Sequence, residues 1–219
     1  MEPGLCVAEL LGLFLCVGAW VCTLTTTILP QWLTLSTELL QTESYQLGLW
    51  ETCVVQDLGG IECRPYDSML GLPGDIRLAR ILMCVAVATG LLGLLVPIPG
   101  LTYMNCCNGR GGKRTKRLLR VLGGAFSFLA GIICLVPVSY MAHLTVLKFW
   151  DDTVPDIVPR WEFGEALFCG WTAGFLHIVG GIVLASSHFC YEEESDSIAP
   201  TSLEMQALNN TSQARMAYV

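Results

Sequence analysis

At 219 residues the chain is long enough for one domain with its own core, yet 53% of it is apolar and only 14% charged. That balance, with a mean hydropathy of +0.56, is too apolar for an ordinary soluble surface. A formal charge of −7 argues against a nucleic-acid partner, which requires a basic face.

Long runs nearly free of charge alternate with short polar segments, the pattern of several bilayer crossings. Residues 1–4 form a short N-terminal segment. The run over 5–29 holds one acid, Glu9. At about 25 residues it exceeds the roughly 7 to 15 of a signal-peptide core, so it reads as an uncleaved first span. Glu9 sits near one end and is expected to snorkel to the interface or reach a neighbouring helix, with no function assigned.

Residues 30–80 form a polar loop carrying Trp32, then Gly48-Leu49-Trp50, then Cys53 and Cys63. Between the cysteines, Val54, Val55 and Ile61 favour strands, and Asp57-Leu58-Gly59-Gly60 supplies a turn. The segment reads as a hairpin whose arms a disulfide staples. Closing so short a loop contributes about 2 to 4 kcal/mol. Two free thiols are one alternative; a zinc site is another, though no His lies in this loop to complete it. Trp32 and Trp50 either cover the bridge or anchor at the membrane interface.

Further spans are expected at 81–103, 118–147 and 166–188, each long enough at 1.5 Å per residue to cross a ~30 Å hydrocarbon layer. Pro97 and Pro99 fall near the end of the second, where a missing N–H is tolerated; Pro137 lies inside the third and should bend it. The link at 104–117 and its edge hold Arg110, Lys113, Arg114, Lys116, Arg117 and Arg120 with no acid among them. By the positive-inside rule this link and both termini are cytoplasmic, and the loops at 30–80 and 148–165 are extracellular.

Cys6, Cys16, Cys22, Cys84, Cys134 and Cys169 lie in the apolar runs and are expected to act as small lipid-compatible residues. Cys106, Cys107 and Cys190 flank spans on the cytoplasmic side and are candidates for palmitoylation. The tail, 189–219, is too polar to fold. It ends in Met216-Ala217-Tyr218-Val219, a form that a PDZ domain captures as an added strand.

Nothing here points to catalysis or to a metal or cofactor site. His143, His177 and His188 are far apart and expected to be packed or interfacial, and the Gly109–Gly112 turn lacks the context of a phosphate loop. A transporter is disfavoured because the spans show no ion-pair network.

Trp32, Gly48-Leu49-Trp50, Cys53 and Cys63, followed by Tyr66-Asp67-Ser68, Leu72-Pro73, Arg80, and Gly164 through Gly170-Trp171, resemble the signature of the claudins. The resemblance covers nearly all of the chain before the tail. It implies a left-handed, all-α four-helix membrane bundle carrying a small extracellular antiparallel β-sheet, four strands from the first loop and one from the second. It further implies a structural component of tight junctions in the plasma membrane, not an enzyme, that seals or filters the space between cells. The partners implied are further copies of the chain and other claudins, in cis and in trans, with PDZ scaffolds at Tyr218 and Val219 and no nucleic acid.

By the same resemblance, Met69 docks against Phe149 and Trp150 of a neighbour in the same membrane. Asp151, Asp152 and Pro155 lie in the loop facing the opposite cell, which carries one extra residue between Pro155 and Gly164. In that family the residue after the second cysteine tends to be acidic in cation pores and basic in seals or anion-favouring pores. Here it is Arg64, so a barrier or weakly anion-favouring role is expected. Asp57 and Glu62 flank the same hairpin, and residues 30–73 carry one base against six acids, 1 − 6 = −5, which pulls the other way. The alternative from another class is an auxiliary subunit of an ion channel or receptor, distinguished by whether the chain assembles with itself.

Overall fold

In a computed structural model, residues 3–36, 43–56, 60–101, 112–150 and 160–187 are described. Helix α1 (Pro3–Ile28) leads into strands β1 (Leu33–Ser36), β2 (Glu43–Leu47), β3 (Glu51–Gln56) and β4 (Ile61–Pro65). Helix α2 (Gly74–Leu95) ends in a short 3₁₀ turn at Ile98–Gly100. Helix α3 (Gly112–Phe149), strand β5 (Trp161–Phe163) and helix α4 (Glu165–Ser186) complete the described chain. All four helices are long and apolar enough to cross a membrane.

The helices form a ring in which α1 meets α4 and α2, and α3 meets α2 and α4. Helices α2 and α3 start ahead of their apolar runs, and α2 stops short of the end of its own. Helix α2 begins at Gly74, not Ile81, because Pro73 precedes it and Asp75 complements the positive end of its dipole. It stops at Leu95, before Pro97 and Pro99. Helix α3 begins at Gly112, ahead of the expected residue 118, since Lys and Arg are good helix formers. It runs unbroken through Pro137. Its 38 residues would span about 57 Å, well beyond the hydrocarbon layer.

The five strands are antiparallel in the order β4-β3-β2-β1-β5. Residues in register share a face. One row runs Phe163, Leu33, Leu47, Thr52, Arg64, and the next on that face runs Trp161, Leu35, Tyr45, Val54, Glu62. The β1 and β5 end of this face is apolar: Leu33, Leu47, Trp161 and Phe163 join the cluster that includes Ile76, Met141 and Leu167 of the helices. The β4 end carries exposed Glu62 and Arg64.

Inside the bundle polar side chains bridge α1 to α3 across the ring. Glu9 of α1 and Arg120 of α3 form a buried ion pair. Of the two expectations for Glu9, reaching another helix is the one the structure shows; one ion pair thus joins the spans where the sequence had suggested no network. Farther along the same two helices, Cys16 Sγ lies 3.3 Å from Ser127 Oγ. Ser127 Oγ is 3.1 Å from His177 Nδ1 and donates to the His177 carbonyl at 3.1 Å. His177 is the packed histidine that the sequence suggested, whereas His143 is exposed. Of the described cysteines in the spans, Cys16 and Cys134 are buried, Cys22 and Cys169 half-buried, and only Cys84 is exposed. They line helix contacts more than they meet lipid.

Candidate functional site

The sheet is held on the bundle by the tryptophans of the first loop. Helix α1 ends with carbonyls that need donors. The Leu29 N–H serves the Thr25 carbonyl, but the next position in the ladder is Pro30, which has no N–H to offer Thr26. The buried Trp32 indole supplies it, Nε1 donating to the Thr26 carbonyl at 2.8 Å. Trp50 Nε1 does the same for Thr27 at 2.8 Å. The two tryptophans are thus side-chain caps of α1.

The start of α4 is tied down from the same place. The Gly164 N–H donates to the Trp32 carbonyl and the Ala166 N–H to the Gln31 carbonyl, each at 3.0 Å. A Cβ on Gly164 would strike the Gln31 carbonyl, so the close crossing of α4 over β1 needs glycine there.

Gly48-Leu49-Trp50 is the tight connection of β2 to β3, with the Gly48 N–H donating to the Glu51 carbonyl at 3.0 Å. A Cβ at Gly48 would sit 2.5 Å from Pro30 Cα. Leu49 enters the core. Arg80, only 5% exposed, fixes this turn from α2: its Nε donates to the Leu49 carbonyl. Its guanidinium carbon lies 5.0 Å from the Trp50 ring centre and 5.1 Å from that of Tyr66. Cation–π contacts and a carbonyl thus stabilise a buried cation that forms no ion pair with a carboxylate among the described residues. Arg80 Nη1 also reaches Met69 Sδ at 3.0 Å.

Cys53 and Cys63 are cross-strand partners of β3 and β4 joined by a disulfide. Among the described residues the one grouping with metal-ligand spacing is Glu51, Cys53 and Cys63. Both of its sulfurs are consumed by that bond, so the donor set does not fit an ion. Arg64, directly after Cys63, faces Thr52 across the ladder. It makes no ion pair among the described residues, although Glu62 projects from the same face two positions earlier, roughly 7 Å along the strand. Asp57 lies outside the described residues.

Met69 and Leu70, before α2, are 53% and 84% exposed; Leu70, which the sequence reading passed over, is the barer of the two. At the other rim of the sheet the Phe149 and Trp150 rings meet edge to face, 5.7 Å apart. The Arg160 guanidinium lies over Phe149 and donates to its carbonyl. These rings line a cavity of about 420 Å³ whose other walls include Thr145, Val146, Trp161 and Phe163. Met69 and this cavity are not in contact within one chain. Asp151, Asp152, Pro155, Cys106, Cys107, Cys190, Tyr218 and Val219 lie outside the described residues.

The model of the PMP-22/EMP/MP20/Claudin family matches residues 6–184. Claudin-3 of Mus musculus is 33% identical over 206 residues, covering 93% of this chain and 90% of that protein. Claudin-19 of Homo sapiens is 36% identical over 196 residues, covering 88% and 85%. Claudin-1 of Mus musculus is 33% identical over 182 residues, covering 82% and 85%.

Proposed function

The chain belongs to the claudin family, structural membrane proteins of tight junctions and not enzymes, and from that premise we propose that it forms a paracellular barrier with a weak preference for anions. The observation that carries this reading is Arg64. It stands exposed on β4, at the end of the sheet face that extends past the bundle, with Thr52 and no acid opposite it. A fixed cation beside a narrow aqueous path repels other cations over about a Debye length, ~8 Å at physiological salt. Glu62, on the same strand and face, weakens that field without forming a contact pair.

The test is Arg64→Asp in a cell layer that expresses this chain. At about 8 Å in water, one Debye length away, reversing one unit charge shifts the interaction with a passing ion by about 0.4 kcal/mol, a factor of about two in partition, in opposite directions for cation and anion. The sodium-to-chloride permeability ratio from dilution potentials should therefore rise several-fold. An unchanged ratio would remove Arg64 from the path.

Claudin–claudin association is the family's mode of assembly. In our reading, Met69 of one copy enters the cavity beside Phe149 and Trp150 of its neighbour in the same membrane. The support is chemical: a half-exposed methionine side chain and an open aromatic cavity large enough for it. Asp151, Asp152 and Pro155 would meet the opposing cell. The basic residues at the start of α3 would hold that end of the bundle, with both termini, in the cytoplasm. Tyr218 and Val219 would engage a PDZ scaffold there, and Cys106, Cys107 and Cys190 would accept palmitate.

A further inference from the structure

Arg80 is a buried cation short of acceptors. A guanidinium presents its N–H donors in a planar fork and stays charged. Here Nε has the Leu49 carbonyl, and the rings of Trp50 and Tyr66 cover the group. Nη1 ends on Met69 Sδ at 3.0 Å, and a thioether is only a weak acceptor. Nη2 is buried with no partner among the described residues. The fork therefore has donor capacity to spare at the point where Met69 reaches it.

Met69 is also the methionine that a small oxidant meets first. Of the three methionines among the described residues it is 53% exposed, whereas Met83 and Met141 are 0% and 6%. It stands between β4 and α2, at the sheet end of the bundle, where the Cys53–Cys63 disulfide lies. A disulfide persists on an oxidising side of the membrane.

We propose that Met69 is a site of oxidation by a peroxide and that Arg80 holds the resulting sulfoxide. A lone pair on Sδ attacks one oxygen of hydrogen peroxide. The S–O bond forms as the O–O bond breaks, and the proton on the transferred oxygen passes to the departing hydroxide, which leaves as water. Sulfur loses two electrons and the peroxide gains them, so no further reactant is required. The sulfoxide oxygen, a stronger acceptor than the thioether, then takes the Nη1 proton, with Nη2 beside it on the same fork. One sulfur lone pair already faces Nη1. The peroxide is left the other, so one sulfoxide epimer is favoured.

The consequence for assembly rests on the reading that Met69 enters the aromatic cavity of a neighbouring copy. A thioether leaves Arg80 and meets aromatic rings favourably, whereas a sulfoxide gives up a charged donor for largely apolar walls. Oxidation thus pins the side chain to its own chain and opens the lateral contact.

The test treats cells expressing the full chain with graded hydrogen peroxide, then purifies and digests the protein and reads each methionine by mass spectrometry. Met69 is expected to gain one oxygen at a dose roughly tenfold below that needed by Met83 or Met141. In the wild type, one of the two epimer-specific sulfoxide reductases should repair most of it; in Arg80→Lys, which keeps the charge and loses the fork, both should be needed. Oxidised wild type should melt higher in detergent than untreated protein, while Met69→Leu should show no such shift. Met69 oxidised no sooner than Met83, equal amounts of both epimers in the wild type, or an oxidised wild type that melts no higher would each overturn the proposal. Strands are scored on the same cells before and after peroxide, with loss expected in the wild type and no response in Met69→Leu. Oxidation of Met69 to one epimer with wild-type strands intact would overturn the docking reading and leave the oxidation site standing.

Discussion

Glu9 and Arg120 meet inside the bundle, where both side chains are largely withdrawn from solvent. Their value lies in their mutual neutralisation: removing one partner leaves the other charge buried, which costs about 3 to 5 kcal/mol in soluble proteins. Glu9→Leu and Arg120→Leu are each expected to lose stability of about that size in detergent unfolding, and the double Leu variant to recover most of it. A double variant as unstable as the sum of the singles would show that the two side chains act independently. In the sequence Glu9 is the one acid of the first apolar run and Arg120 the last residue of a basic cluster at the edge of the third. Their pairing was hidden because α1 and α3 are parallel diagonal helices whose relative register only the folded bundle sets.

At the scale of elements, the expected hairpin of the first loop forms as β3 and β4, with the two cysteines in register. Alternation of strand formers and the short cysteine spacing carry that information locally. The four apolar runs likewise stood out, though hydropathy alone put the starts of α2 and α3 too late, because a helix that continues past the membrane carries charged residues such as Asp75 and Arg114.

The role of the tryptophans was not legible. Nothing in the spacing of Trp32 and Trp50 says that their indoles replace the N–H that Pro30 withholds from α1. That role has a measurable signature. Trp32→Phe keeps the ring but strands the buried Thr26 carbonyl, which costs about 1 to 3 kcal/mol. Trp50→Phe, at a half-exposed site, should cost less. Thermal unfolding of the two purified variants checks the ranking; equal melting temperatures would contradict the capping role of Trp32.

For the whole molecule, the sheet overhangs the helical ring on one side, with a charged edge at β4 and an apolar rim at β5. One copy thus presents a charged strand, an exposed Met69 and an aromatic cavity on separate parts of its surface, and on the proposed reading the last two make a heterologous contact that propagates through copies side by side. The membrane class and family were legible from apolar runs and signature residues, and the resemblance already set Met69 against Phe149 and Trp150; the cavity beside those rings, lined also by Thr145, Val146, Trp161 and Phe163, was not legible because its walls come from distant segments of the chain.

The most direct measurement is freeze-fracture imaging of cells that lack endogenous strands and express this chain alone, beside cells expressing Met69→Ala. Continuous strands at contacts between wild-type cells, shortened or broken by Met69→Ala at equal surface expression, are the predicted result. Wild-type protein that reaches the surface and forms no strands would contradict a self-assembling paracellular barrier.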